Sequence, residues 1–121
     1  MSGAKSRNLG NRSEVAVANW LTSQGFEAIT SRNARGGAQG GADIICPDFP
    51  CAIEVKAGAR DQLAAWLDQA RAQGDETAPG LLVHRRRGRA DPGEWFATLA
   101  LADLVSLVEQ LRNPDMTEVP F

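Results

Sequence analysis

Residues 40–58, GGADIICPDFPCAIEVKAG, decide the fold. Two short apolar runs, 42–46 (ADIIC) and 51–57 (CAIEVKA), flank a PDFP segment. Proline restricts the backbone at and before its own position, so the segment forces a turn and the runs read as two strands of a hairpin. Side chains alternate along a strand, so Ile53 and Val55 share one face, the core face, while Glu54 and Lys56 share the other. A hairpin centred near Asp48 and Phe49 sets Asp43 directly opposite Glu54. Like charges so placed repel and destabilise a sheet. A sequence that keeps them calls for something between them, and a divalent cation is the natural candidate.

Working outward, residues 11–24 (NRSEVAVANWLTSQ) read as a helix, capped by Asn11 or Ser13 and stopped by Gly25. Residues 1–10 read as a loosely held arm. Glu14 falls on the helix face of Val17, Ala18 and Leu21, an unexpected place for an acid unless it serves the helix dipole at the helix start. Residues 26–31 (FEAITS) predict a strand, and SRNARGGAQGG a polar loop. Residues 61–73 predict a helix capped by Asp61, with Leu63, Trp66, Leu67 and Ala70 as its apolar stripe. Residues 81–85 and 94–99 predict paired strands around the RRRGRADPG turn. Residues 101–112 predict a last helix with Leu104, Val105, Leu107, Val108 and Leu111 inward. The order is α-β-β-β-α-β-β-α, an α/β domain with a central mixed sheet flanked by helices, in one unit over 1–121.

Of 121 residues, 43% are hydrophobic, which suits a single core. No apolar run approaches the roughly 20 residues of a membrane span, and no signal peptide is evident, so the chain reads as soluble and cytoplasmic. Cys46 and Cys51 read as reduced thiols near a turn. With His84 the only histidine, a zinc site is not expected. The net charge is -2, but six of the 15 acids and one of the 13 bases fall in 90–121, leaving 12 bases against 9 acids before that point. The arginines at 32, 35 and 60, with Arg85, Arg86, Arg87 and Arg89, are candidates for phosphate contact; the last four also suit a solvated hairpin tip. Eleven of the basic residues are arginine and only Lys5 and Lys56 are lysine. Position 56 therefore stands out as one that wants a compact ammonium.

These residues suggest a chemistry. Mg²⁺ prefers oxygen ligands and is commonly held by one or two carboxylates plus substrate phosphate. Asp43 and Glu54, helped by the Val55 carbonyl, could hold it, and Glu14 could reach the same region. A bound metal activates water for phosphodiester hydrolysis. Lys56 could orient that water or offset phosphate charge.

GGADII followed by IEVKAG, after a helix holding Glu14, resembles the PD-(D/E)xK nuclease superfamily. More closely, it is similar to the small Holliday-junction resolvases of archaea and phages. The resemblance covers roughly residues 5–100. It implies a restriction-endonuclease-like fold, metal binding by Asp43 and Glu54, Lys56 as catalytic lysine, Glu14 as an additional acid and Gln69 as the polar residue of the following helix, Gln62 being a weaker choice. It also implies Mg²⁺ or Mn²⁺, a branched or double-stranded DNA substrate and a homodimer, in the host cytoplasm if a phage encodes it. Phe49, Trp95, Phe96 and Phe121 offer apolar surface for such a dimer, or belong to the core. Two departures stand out: Gly41-Ala42 replaces the proline before Asp43, and Ser31 or Gln39 stands where archaeal resolvases carry a loop serine. A restriction- or repair-type endonuclease, and a non-catalytic nucleic-acid-binding module, are the alternatives.

Overall fold

A computed structural model describes residues 3–35, 42–58 and 60–113. Helix α1 (Gly3–Ser23) leads to strand β1 (Ile29–Thr30), a short helix α2 (Ser31–Arg35), and the hairpin of β2 (Ile44–Ile45) and β3 (Ala52–Lys56). Helix α3 (Leu63–Gln73) crosses to β4 (Gly80–His84), followed by β5 (Phe96–Thr98) and helix α4 (Leu101–Arg112). The five strands lie in one sheet in the order β1-β2-β3-β4-β5. All neighbours are antiparallel except β3 and β4, which run parallel. A parallel pair needs a crossover, and α3 supplies it. The expected order and mixed α/β sheet are present, with α2 added.

Hairpin register agrees with the sequence at the pair the ladder contains, Ile44 with Ile53; Asp43 lies just before β2, where its N–H bonds the Ile53 carbonyl at 3.0 Å. Two helices cover the sheet from opposite faces. Ile53, Val55 and Leu81 pack with Val17, Ala18 and Leu21 of α1 and with Trp95. On the even-numbered face of β4, His84 meets Trp66 of α3 edge-on at 4.9 Å between ring centroids. Gly80 lies so close to the Ala70 carbonyl that a Cβ there would overlap it.

Several expectations change. Helix α1 starts at Gly3, so residues 3–10 are helix and not an arm. Ser13 is no cap: it is fully buried in mid-helix and donates its hydroxyl to the Leu9 carbonyl at 2.7 Å. Local capping chemistry imitated a helix start that packing overrode. The stop at Gly25 is as expected. With φ at 103°, its N–H reaches the Thr22 carbonyl and that of Phe26 the Leu21 carbonyl, the paired bonds of a Schellman motif. Asp61 caps nothing; it lies in a turn of 3-10 helix, Arg60–Gln62, and α3 starts after it. Helix α4 spans the expected residues, but Leu104, Val105, Val108 and Leu111 are exposed. The helix lies at the rim of the sheet, touching the core through Leu107 and tied to α3 by an Arg71–Asp103 ion pair of 3.1 Å. Trp95 is core, and Phe49 packs edge-on against Phe26 at 5.2 Å, so neither offers a free dimer surface. Phe121 lies outside the described residues. Both cysteines are free. Among the described residues, no helix is long and apolar enough to cross a membrane.

Candidate active site

The site lies where β2 begins and β3 ends. There the Asp43 carboxylate turns back over the edge of β3 and accepts the Val55 N–H at 2.8 Å, while the Asp43 N–H reaches the Ile53 carbonyl at 3.0 Å. One carboxylate oxygen is thus spent on holding the strand edge. Within a strand, the N–H and C=O of one residue face the same edge. The Val55 carbonyl therefore lies on the Asp43 side of β3.

Glu54 was expected on an open face, but it is only 5% exposed, because α3 covers that side of the sheet. Its nearest counter-charge is Lys56, two residues on along the same face, with 3.7 Å between Nζ and Oε2. Burial first, and then the charge of Asp43, push the Glu54 carboxyl up to about 7; Lys56 opposes them and Glu14 adds to them. Burial likewise raises Asp43, against the Val55 N–H, Lys56 and Arg32.

Glu14 enters from α1, on the face of Val17 and Leu21, with its side chain 14% exposed. Burial and Asp43 raise it, while Arg32 and Lys56 lower it. Its partner comes from α2. Thr30 accepts the Asn33 N–H through its hydroxyl at 3.2 Å, and the Ser31 N–H reaches the Asp43 carbonyl at 2.9 Å. Those two bonds hold the helix so that Arg32 bridges to Glu14 at 3.3 Å. Arg32, expected as a phosphate contact, is thus part of the carboxylate cluster.

The site therefore gathers Glu14, Asp43 and Glu54 against Lys56 and Arg32, and all three acids are held above their ordinary range. The surplus negative charge and all-oxygen donors suit a hard divalent cation in chemistry. In spacing, no three His, Cys, Asp or Glu side chains among the described residues lie close enough to share one ion. The set that fits is Asp43, Glu54 and the Val55 carbonyl, with Glu14 at its margin.

Gln69 is exposed on α3 and hydrogen-bonds to none of these acids among the described residues. Gln62 is exposed as well, and Gln39 lies outside the described residues. The side chains of Arg35 and Arg60 are also outside them. Arg89 pairs with Glu94 at 3.4 Å, on the surface, as a hairpin tip would. Arg85, Arg86 and Arg87 instead converge on a cavity beside His84 and Phe96. Apart from the unusual run of arginines, no local pattern in the chain points to that cavity. Compared with protein-family models, with curated proteins and with solved structures, the chain matches none.

Proposed function

We infer that this chain is a metal-dependent DNA endonuclease of the PD-(D/E)xK kind, with a restriction-endonuclease-like core, acting on four-way junctions as a homodimer. The observation that carries the reading is the buried Glu54, held at about 7 beside Asp43 and Lys56. An acid buried among like charges, its carboxyl raised by that burial, is characteristic of functional sites. A solvated ion-pair ladder would leave Glu54 in water.

Asp43, Glu54 and the Val55 carbonyl would hold Mg²⁺ or Mn²⁺, with Glu14 supporting. When bound, the cation supplies an activated water and polarises the phosphoryl oxygen. The remaining work falls to the chain. Lys56 orients the attacking water and offsets charge developing on the phosphate. The attacking water gives up a proton to solvent as its oxygen bonds to phosphorus, the bond to the leaving strand oxygen breaks, and that oxygen takes a proton from solvent. Arg32 holds Glu14 turned toward the cluster, and the Val55 N–H fixes one oxygen of Asp43, leaving the other to face outward.

One observation favours a second reading, a non-catalytic nucleic-acid-binding module: no three His, Cys, Asp or Glu side chains among the described residues share one ion's reach. A cleavage panel decides between them. Four-way junctions, linear duplex, flaps and single strands are incubated with Mg²⁺, Mn²⁺ or EDTA, comparing the unaltered protein with Asp43→Asn and Glu54→Gln. Junction cutting that needs the cation and is lost in both variants supports the nuclease. Cutting of linear duplex as readily as junctions favours a restriction- or repair-type enzyme. Equal cutting by all three proteins overturns the site, and binding without cutting leaves the module.

A further inference from the structure

Past the C-terminal ends of the parallel strands β3 and β4 lies a cavity of about 660 Å³, lined among others by Leu9, His84, Arg85, Arg86, Arg87 and Phe96. In open α/β sheets this end of the strands is where ligands bind. The volume falls within the range of small-molecule sites and exceeds what an inorganic phosphate would fill. None of the described residues lining it is acidic.

The guanidiniums there differ from the other arginines. Arg32, Arg71 and Arg89 each hold a carboxylate. Among the described residues, Arg85, Arg86 and Arg87 hold none. Yet Arg85 is set in place: it donates to the Ser13 hydroxyl at 3.1 Å and lies over the Trp95 ring at 5.1 Å. Ser13 passes its own hydrogen to Leu9, which leaves its oxygen free to accept from Arg85. A surface tip of solvated arginines would not be braced by a fully buried serine.

The opposite wall is aromatic. Phe96 lies 6.0 Å from the His84 ring, and the Arg86 guanidinium lies over Phe96 at 5.5 Å. His84 is itself fixed, its Nε2 3.0 Å from the Gly58 carbonyl. Rings and guanidinium planes of this kind are what unstacked bases pack against. Cationic side chains that hold no carboxylate among the described residues, next to a π-surface, suit a ligand that is anionic at one end and flat at the other.

We propose that this cavity binds a nucleotide, with the phosphate on Arg85 and Arg87 and the base against Phe96 and Arg86. The choice of ligand rests on the nucleic-acid reading above. The source is either an unpaired nucleotide swung out of a strand or a free mononucleotide. The cavity adjoins the candidate active site through the backbone, since the Arg85 N–H bonds the Lys56 carbonyl at 2.8 Å. A swung-out nucleotide seated here would anchor its strand next to Lys56, and would select DNA that carries unpaired positions.

Binding is measured on the full chain in EDTA and low salt, so that failure of cleavage and failure of this site are separable. Deoxyadenosine 5′-monophosphate, inorganic phosphate and deoxyadenosine are titrated by NMR shift perturbation. A single-stranded trinucleotide and a fully paired duplex are then added as competitors. The mononucleotide is expected to bind at least about tenfold more tightly than phosphate or nucleoside alone. Arg87→Gln should weaken it by about tenfold, the usual worth of a charged hydrogen bond, and Arg86→Gln should weaken it through the lost contact with the base. Phe96→Leu should weaken the mononucleotide and leave phosphate unaffected, and Asp43→Asn should leave both unaffected. Arg87 is exposed, so its variant keeps the fold, which an unchanged Tm confirms. Displacement by the trinucleotide but not the duplex identifies the strand as the source, and displacement by neither identifies a free nucleotide. Phosphate binding as tightly as the mononucleotide, no binding of the mononucleotide at millimolar concentration, or unweakened binding by Arg87→Gln would each overturn the proposal.

Discussion

Replacing Glu54 with glutamine should stabilise the metal-free protein at pH 8 and do so by less than about 1 kcal/mol at pH 5. In the fold, the Glu54 carboxyl sits at about 7 against an ordinary 4.5. The folded state therefore holds this proton more tightly than the unfolded chain does, and ionising the group works against the fold. Below pH 4.5 that cost is absent. It grows as pH rises and is complete once pH passes about 7, where it reaches about 3 kcal/mol at roughly 1.4 kcal/mol per pH unit. Glutamine has a similar volume and cannot ionise, so the cost disappears at every pH. The neighbours divide: removing this charge relieves Asp43 but takes from Lys56 its ion-pair partner, and both effects are already contained in the shift. Urea unfolding of both proteins at pH 5 and pH 8, in EDTA, gives the four stabilities required. The glutamine variant should gain up to about 3 kcal/mol on the original between the two pH values. A gain of zero, or a variant less stable at pH 8, would refute the electrostatic account of the site.

Other outcomes follow from the same geometry. Mn²⁺ or Mg²⁺ should offset the surplus charge, raising Tm at pH 8 by an amount worth about 2.7 kcal/mol when the ion is at a hundred times its Kd. Differential scanning fluorimetry should show no such rise in Asp43→Asn. Lys56→Arg keeps the charge but not the compact ammonium. Single-turnover cleavage of a four-way junction should slow by about a hundredfold or more, whereas a mere surface ion pair would tolerate the change. Leu82→Ala, in a side chain with no exposed surface, should cost about 2–5 kcal/mol in urea unfolding while the dependence of activity on pH keeps its shape.

Much of the site could be read from the chain because it is local. Asp43 and Glu54 belong to one hairpin, whose register follows from where PDFP puts the turn, and Lys56 shares the face of Glu54 by alternation alone. Glu14 was visible as an acid on an apolar stripe. Less legible was whatever depends on distant parts meeting. The burial of Glu54 depends on α3 lying over its face of the sheet. Arg32 reaches Glu14 only because α2 follows β1 directly. The Arg85–Ser13 bond joins positions 72 apart, and Ser13 looked instead like a helix cap. Helix α4 misled for another reason: its apolar residues follow helical spacing, but periodicity says only that a face is apolar, not that anything covers it.

Gly80 gives a way to tell the two kinds of necessity apart in any chain that resembles this one. No side chain larger than hydrogen fits between β4 and the turn of α3 at Ala70. A glycine at this position in a relative would therefore report only the closeness of a strand and a helix, whatever that relative does. Asp43, Glu54 and Lys56 meet no such steric demand, and their presence together in a relative would report chemistry. A chain that kept the glycine and lost the acids would share the architecture without the proposed reaction.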